Sequence, residues 1–355
     1  MRILLVGGSW DKNGGKPSGL INKMYEELIK LYDKKDITFI NGGNYDYLEK
    51  IIDTAPLYKV IYWMAYVPND LPKVRDIKRI NPYAIVIGSK RNDDKKYTFV
   101  EILNRALLQK HNLTIEFSKV NNKFNMLVFD PLGTAWYDGD NLKDMIKALN
   151  KRIEFVLTTK RDHTYEAQEN ITVPNNEEFF DYVRRCSNIF QETIEHAPGV
   201  TRFFGNASFV GDDRKYVYMS KRDVDKCNLD KNHFVCTYEK DDKVYYTGKV
   251  KPSKDTIVQI KLYKTLKNIK YIIHSHCYIK NAPFTNNPVP CGTLDEYPEI
   301  MYAIKNYYNN DYNLDYYAFN LIGHGCLVMA NSVDKLKDAK FYTRHLPEYI
   351  SEGEK

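Results

Sequence analysis

The stretch IIHSHCYI, residues 272–279, sets His274 and His276 one residue apart at the end of an apolar, β-branched run. Alternate residues of a strand face the same side, so these two imidazoles are expected to stand together. Neutral imidazole is the commonest zinc ligand. A third histidine, His324, lies between two glycines in LIGHGCLVM, where small neighbours leave its ring accessible. Three histidines leave a fourth tetrahedral position open, the pattern of a catalytic rather than a structural zinc site. Upstream, GKVKPSKD (248–255) reads as an extended segment ended by Pro252 and followed by a helix start at Ser253, Lys254 and Asp255. A hydroxyl, exposed amides and the helix dipole favour an anion there. Taken singly, these features also read as a satisfied polar pair, a turn histidine and a helix cap. Together, a carboxylate near a metal and an anion cradle is what proton abstraction next to a carbonyl requires.

The elements that position these residues divide into two patterns. Over roughly the first 155 residues, short apolar runs alternate with helical stretches. RILLVG (2–7), ITFING (37–42), YKVIYWMA (58–65), YAIVIGS (83–89), LTIEFS (113–118) and FNMLVFD (124–130) read as strands. Helices are expected at 17–32, 70–80, 96–110 and 141–151, and EFVLTTKRD (154–162) reads as one more strand. Such alternation predicts an α/β domain with a doubly wound, mostly parallel, Rossmann-like sheet. Ligands of such sheets bind beyond the carboxyl ends of the strands. The first of these ends, GGSWDKNGGKPSG, offers backbone N–H groups ahead of a helix. It matches neither common nucleotide fingerprint, because Trp10 stands where the phosphate-loop glycine belongs. Ordinary turn glycines and an unfamiliar nucleotide or sugar-phosphate pocket both remain open for it, and no cofactor-binding residue is assigned.

Domain boundaries are expected at 1–165 for this domain, 166–177 for a polar linker and 178–355 for a second domain. A helix over 178–195 carries one apolar stripe. Strands then follow at 217–220, 233–238, 243–248, 270–276 and 320–330, with helices at about 255–268, 295–308 and from Ser332.

Composition narrows the class. A hydrophobic fraction of 43% with 28% charged residues fits a soluble globular chain. The net charge of +6 is modest for 355 residues, and basic residues are interleaved with acidic ones, so no nucleic-acid partner is expected. No apolar run is long enough to span a bilayer, and MRILLVGG is too short for a signal-peptide core. The six cysteines lie in the second half without a CxxC pair, which predicts reduced thiols and a cytoplasmic setting.

The order FFGNASF (203–209), YMSKRDV (218–224), KPSKD (251–255), IIHSH (272–276), VPCGT (289–293) and IGHGCLV (322–328) resembles the class II aldolase/adducin family over residues 178–345, about half the chain. The resemblance implies an α/β/α domain around a nine-stranded, mostly antiparallel sheet and a cyclic tetramer. It also implies Zn2+, or another divalent ion such as Mn2+ or Co2+, and a small sugar-phosphate substrate. It places His274, His276 and His324 on the three metal ligands and Asp255 on the acid/base carboxylate. Gly205, Asn206 and Ser208 fall on a phosphate-binding turn, joined by Ser253 and, in place of a second serine, Lys254. Aldolases of the family carry glutamate where Asp255 stands and ribulose-5-phosphate 4-epimerases carry aspartate, so the motif is closest to the epimerases. Those use a second aspartate, for which Asp295 and Glu296 are candidates, and the family uses a C-terminal tyrosine, for which Tyr342 and Tyr349 are candidates. A further departure is Ser220-Lys221-Arg222-Asp223, two cations where the family has a glycine-containing turn. The implied activity is cleavage and re-formation of a C–C bond of a phosphorylated ketose through an enediolate, as lyase or epimerase. The alternatives are an adducin-like scaffold without chemistry, or a protein whose main activity is nucleotide or sugar binding by the N-terminal domain.

Overall fold

The computed structural model describes all residues except 68–72, 132, 160–163, 168, 170, 193–203, 242, 344–345 and 351–355. The chain divides into two compact units, Met1–Glu154 and Phe155–Lys355. The division therefore falls before the boundary expected at residue 165.

In the first unit the order is β1 (Ile3–Asp11), α1 (Gly19–Leu28), β2 (Ile37–Asn44), α2 (Tyr45–Asp53), β3 (Val60–Trp63) and α3 (Lys73–Ile80). It continues with β4 (Ile85–Arg91), α4 (Phe99–Leu108), β5 (Leu113–Val120), β6 (Lys123–Phe129), β7 (Ala135–Gly139) and α5 (Leu142–Thr159). The sheet runs β2-β1-β3-β4-β5-β6-β7. Its first five strands are parallel, and β6 and β7 are antiparallel additions. Strands buried on both faces are what a parallel sheet requires, and Ile3 to Val6 are all buried. On one face Leu4, Val6, Ile61 and Val86 pack against Leu48, Ile51 and Ile52 of α2 and Ile77 of α3. The expected Rossmann-like domain is thus present, with two corrections. Residues 154–159 are helical, not a strand: α5 buries Met145, Ile146, Leu149 and Ile153 on one helical stripe that the apolar run after Ile153 extends. The expected first loop also begins later, because β1 runs through Gly7 and Gly8 to Asp11 and carries Trp10 fully buried, its indole donating to the Gly7 carbonyl at 2.8 Å.

The second unit contains β8 (Thr164–Ala167), α6 (Glu177–Phe190), β9 (Phe204–Val210), β10 (Val217–Ser220), β11 (Phe234–Lys240), β12 (Lys243–Thr247) and α7 (Thr256–Thr265). After these come β13 (Tyr271–Ser275), β14 (Tyr278–Ile279), α8 (Glu296–Tyr307), β15 (Tyr316–Leu321), β16 (Gly325–Ala330), α9 (Val333–Leu336), β17 (Phe341–Thr343) and β18 (Leu346–Ile350). The main sheet has eight strands among the described residues, in the order β15-β16-β13-β9-β10-β11-β12-β8, instead of the nine the resemblance implies. Every pairing is antiparallel except β8 with β12. The expected linker at 166–177 therefore opens inside a paired edge strand. A small sheet, β14-β17-β18, stands apart from it.

Helices cover both faces of the main sheet. On one, the rings of Phe179 and Phe180 of α6 pack against Phe209, Phe234 and Tyr271. On the other, Val258, Ile260 and Leu262 of α7 and Ile300, Ala303 and Ile304 of α8 share one core with Val217, Ile272 and Leu327. His274 alternates with Ile272 and so faces the α7 side.

The run 320–330, expected as one strand, is a tight hairpin: β15 ends at Leu321, residues 322–324 turn, and β16 starts at Gly325. Gly325 has φ +130°, and a Cβ there would lie 2.0 Å from the Ser275 carbonyl oxygen. Only a glycine lets β16 come this close to the end of β13. Gly325→Ala is expected to cost at least about 1–3 kcal/mol, read as a lowered thermal midpoint against wild type.

Candidate metal and acid/base site

Three strands far apart in sequence meet at the site. In the β9–β13 pairing Asn206 stands opposite His274, and in the β13–β16 pairing Ser275 stands opposite Cys326. His274 is buried at 1% exposure, and its Nδ1 lies 2.8 Å from the Cys326 carbonyl oxygen. A carbonyl only accepts, so Nδ1 carries the proton and Nε2 keeps its lone pair. Gly205 makes room for this ring, since a Cβ there would lie 2.4 Å from His274 Cδ2. His276 does not share a strand with His274: β13 ends at Ser275 and His276 lies just beyond, half-buried. His324 sits in the β15–β16 turn, its Nδ1 donating to the buried Glu296 carboxylate. That carboxylate also accepts the Gly292 N–H at 3.1 Å.

The rings of His274, His276 and His324 have centroids 4.9, 4.4 and 5.8 Å apart. One nitrogen of each lies within 4.8 Å of the others, close enough for a single ion to be shared. Among the described residues this is the one such cluster. The fit to a divalent metal rests on His274: its Nε2 is buried, aimed into the cluster, and has no hydrogen-bond partner. A buried polar atom left so is costly unless something coordinates it. The partners on the opposite nitrogens, a carbonyl for His274 and a carboxylate for His324, are those that orient metal-binding histidines.

Asp255 stands at the N-terminus of α7, with Oδ2 3.9 Å from His274 Nε2. The Asn206 side-chain amide donates to the same oxygen and, at 3.1 Å, to the Ser253 hydroxyl. Burial acts to raise the Asp255 pKa, but His274, His324, His276 and the Asn206 hydrogen bond outweigh it, leaving it below the ordinary carboxylate value. Burial drives His274 well below a normal imidazole. His324 goes the other way despite burial, held well above normal by Cys291 and Glu296 beside it. Burial raises Glu296.

The structure brings together Asp255, the three histidines, Asn206 and Ser253. Ser208 is turned away from them: fully buried, its hydroxyl donates to Gln259 Oε1 at 2.5 Å and lies 3.0 Å from the Tyr263 oxygen. Lys254 is half-buried, with its Cβ against Gly292, which seats the VPCGT segment on this side of α7. Of the two acidic neighbours, Asp295 is exposed and Glu296 is turned inward to His324. Tyr342 packs against the Tyr278 ring at 6.1 Å, and the Tyr349 side chain lies outside the described residues. Gln259 carries no signal as sequence, because a polar residue inside a helical stripe has no motif. The N-terminal loop also differs from an open cradle, since the N–H groups of Ser9, Gly15 and Ser18 already bond to Lys16, Gly43 and Asn41.

An α/β/α domain with a mostly antiparallel sheet, carrying three histidines placed to share one ion beside a buried carboxylate, has the arrangement that the aldolase-type resemblance implies. Residues 191–346 match the family described as the class II aldolase and adducin N-terminal domain. No curated protein matches the chain. Among solved structures it is similar to a DNA/pantothenate metabolism flavoprotein from Streptococcus pneumoniae, with 14% identity over 44% of this chain and 99% of that one, TM-score 0.35. It is also similar to an L-fuculose 1-phosphate aldolase, with 15% identity over 45% of this chain and 78% of that one, TM-score 0.31. A third is the L-fuculose-1-phosphate aldolase from Thermus thermophilus, with 12% identity over 45% of this chain and 83% of that one, TM-score 0.30. Likenesses at this level bear on neither ligand nor activity. No helix among the described residues is long and apolar enough to cross a membrane.

Purified protein is expected to carry about one divalent ion per chain by elemental analysis, lost in His274→Ala. Because His324 holds its proton well above the usual imidazole range when no metal is bound, the ion must displace that proton. Affinity should therefore rise with pH across the neutral range, with proton release seen by titration calorimetry in buffers of different ionisation enthalpy.

Proposed function

We propose that the second unit is a metal-dependent enzyme of the aldolase/epimerase type acting on a phosphorylated ketose. The observation that carries this reading is the Asp255 carboxylate. It is buried, held by the Asn206 amide, and 3.9 Å from the unpartnered Nε2 of His274. A divalent ion on His274, His276 and His324, zinc or a similar metal, would supply a Lewis acid for the substrate carbonyl.

The chain's own residues account for the remaining steps. Cleavage removes the proton from a hydroxyl one carbon beyond the carbon next to the carbonyl. The C–C bond then breaks, its electron pair passing to the carbonyl side and leaving an aldehyde. Asp255 is ionised at neutral pH, so it accepts that proton and returns one in the reverse direction. An epimerase differs in re-adding the aldehyde through its other face. The aspartate at 255 favours this member of the pair by resemblance, and dehydration of a related sugar phosphate is reachable from the same groups.

The phosphate is assigned to Gly205 and Asn206, which lie at the start of strand β9 and not on the expected turn, with Ser253 and Lys254. The chain at 220–222 runs beside 251–253 through Arg222 N–H to Lys251 O (2.8 Å) and Ser253 N–H to Ser220 O (3.3 Å), so Arg222 adjoins this group. Ser208, engaged with α7, drops out of the phosphate set. Glu296 acts by holding His324, and Gly205 acts also by admitting the His274 ring.

Ribulose 5-phosphate, fuculose 1-phosphate, rhamnulose 1-phosphate and methylthioribulose 1-phosphate, offered to metal-loaded protein, test this reading. Turnover of one of them, falling about 10²–10⁴-fold in Asp255→Asn with metal retained, is expected. Equal turnover by both forms would remove Asp255 from its role, and a metal-loaded wild type inert to all four would favour an adducin-like scaffold.

A further inference from the structure

From Ser208 to Asp255 there runs a line of buried side-chain hydrogen bonds, each pointing the same way. The Tyr263 hydroxyl donates to the Ser208 carbonyl at 2.9 Å. The Ser208 hydroxyl donates to Gln259 Oε1 at 2.5 Å, and Gln259 Nε2 donates to Asn206 Oδ1 at 2.7 Å. Asn206 Nδ2 then donates to Asp255 Oδ2 and to Ser253 Oγ. Gln259 and Ser208 are 0% exposed, Asn206 2% and Tyr263 3%, so water does not substitute for any link.

Direction is the informative part. A carboxamide has one accepting and one donating end, and Asn206 turned about would set Oδ1 against the Asp255 carboxylate, two acceptors facing each other. The acceptor-only carboxylate of Asp255 takes the Asn206 N–H, Gln259 Nε2 supplies the donor that Asn206 Oδ1 then needs, and the Ser208 hydroxyl supplies the donor for Gln259 Oε1. We propose that Gln259 is a positioning residue: together with Ser208, it holds the Asn206 amide in the orientation that aims and anchors Asp255. The inference rests on the reading of Asp255 as the acid/base group, and it gives Ser208 a role in place of phosphate binding.

Gln259→Met keeps side-chain length while removing both ends of the amide. Crystal structures and steady-state kinetics of wild type and Gln259→Met, both metal-loaded, test the proposal. The expected result is an Asn206 amide rotated away from Asp255, kcat lowered about 10–100-fold with KM within about twofold, and metal content equal to wild type. An Asn206 amide and Asp255 carboxylate that keep their wild-type positions overturn the proposal, whatever the rate. A displaced amide with unchanged kcat in an active enzyme overturns it as well. If wild type turns over no ketose phosphate, the functional reading falls while the structures alone still decide whether Gln259 orients Asn206. Should Gln259→Met fail to fold, Ser208→Ala breaks the line one bond further out and is expected to displace the same amide; an amide that stays in place then overturns the proposal.

Discussion

Keeping a carboxylate ionised and a histidine nitrogen unsatisfied in one buried place is the constraint on which this unit turns. A buried charge without partners is costly by several kcal/mol, and so is a buried lone pair left unused. The fold meets the first cost with the Asn206 amide and the surrounding imidazoles. It leaves the second at His274 Nε2, where a metal ion is the natural partner. Each supporting feature follows from this: the Cys326 carbonyl that fixes the His274 tautomer, the Glu296 carboxylate on His324, and the glycines at 205 and 325.

The glycines show how packing and chemistry are coupled. A side chain at 205 would displace the His274 ring, and one at 325 would push β16 off the end of β13. Both alter the separation between ring nitrogens before they alter any ligand. The helices act at longer range. The hydrophobic core between the sheet and α7 and α8 presses the start of α7 against β9, so that Asp255 meets Asn206.

Much of this is legible in the amino-acid order. Alternating strand and helix patterns in the first half foretell the parallel sheet, because strands buried on both faces read as continuous apolar runs. The two antiparallel strands at its edge are only half visible, since the weakly patterned AWYDG at 135–139 carries little signal. The run at 154–159 reads wrongly as a strand because EFVLTT is apolar and β-branched enough for either state, and the preceding buried stripe of α5 decides for helix, while 160–162 lie outside the described residues. The run at 320–330 reads wrongly as one strand because IGHG hides a reversal within four residues.

The same division holds at the site. Residue types and order alone singled out the three histidines, the carboxylate at 255 and the family resemblance, because side-chain type and spacing are read without knowing what holds them. Tertiary structure decided what each neighbour does. Ser208 and Asn206 lie two apart on one strand face and look equivalent as sequence, yet one bonds to the helix and the other to the acid. Asp295 and Glu296 are adjacent, and only the rotation of α8 turns the second toward His324. Gln259 has no motif at all, and its role exists only because the helix that buries it also sets it beside Asn206. Local sequence specifies which groups are available; which atoms face each other depends on strand register and helix rotation, and both are fixed by contacts between residues distant in the chain.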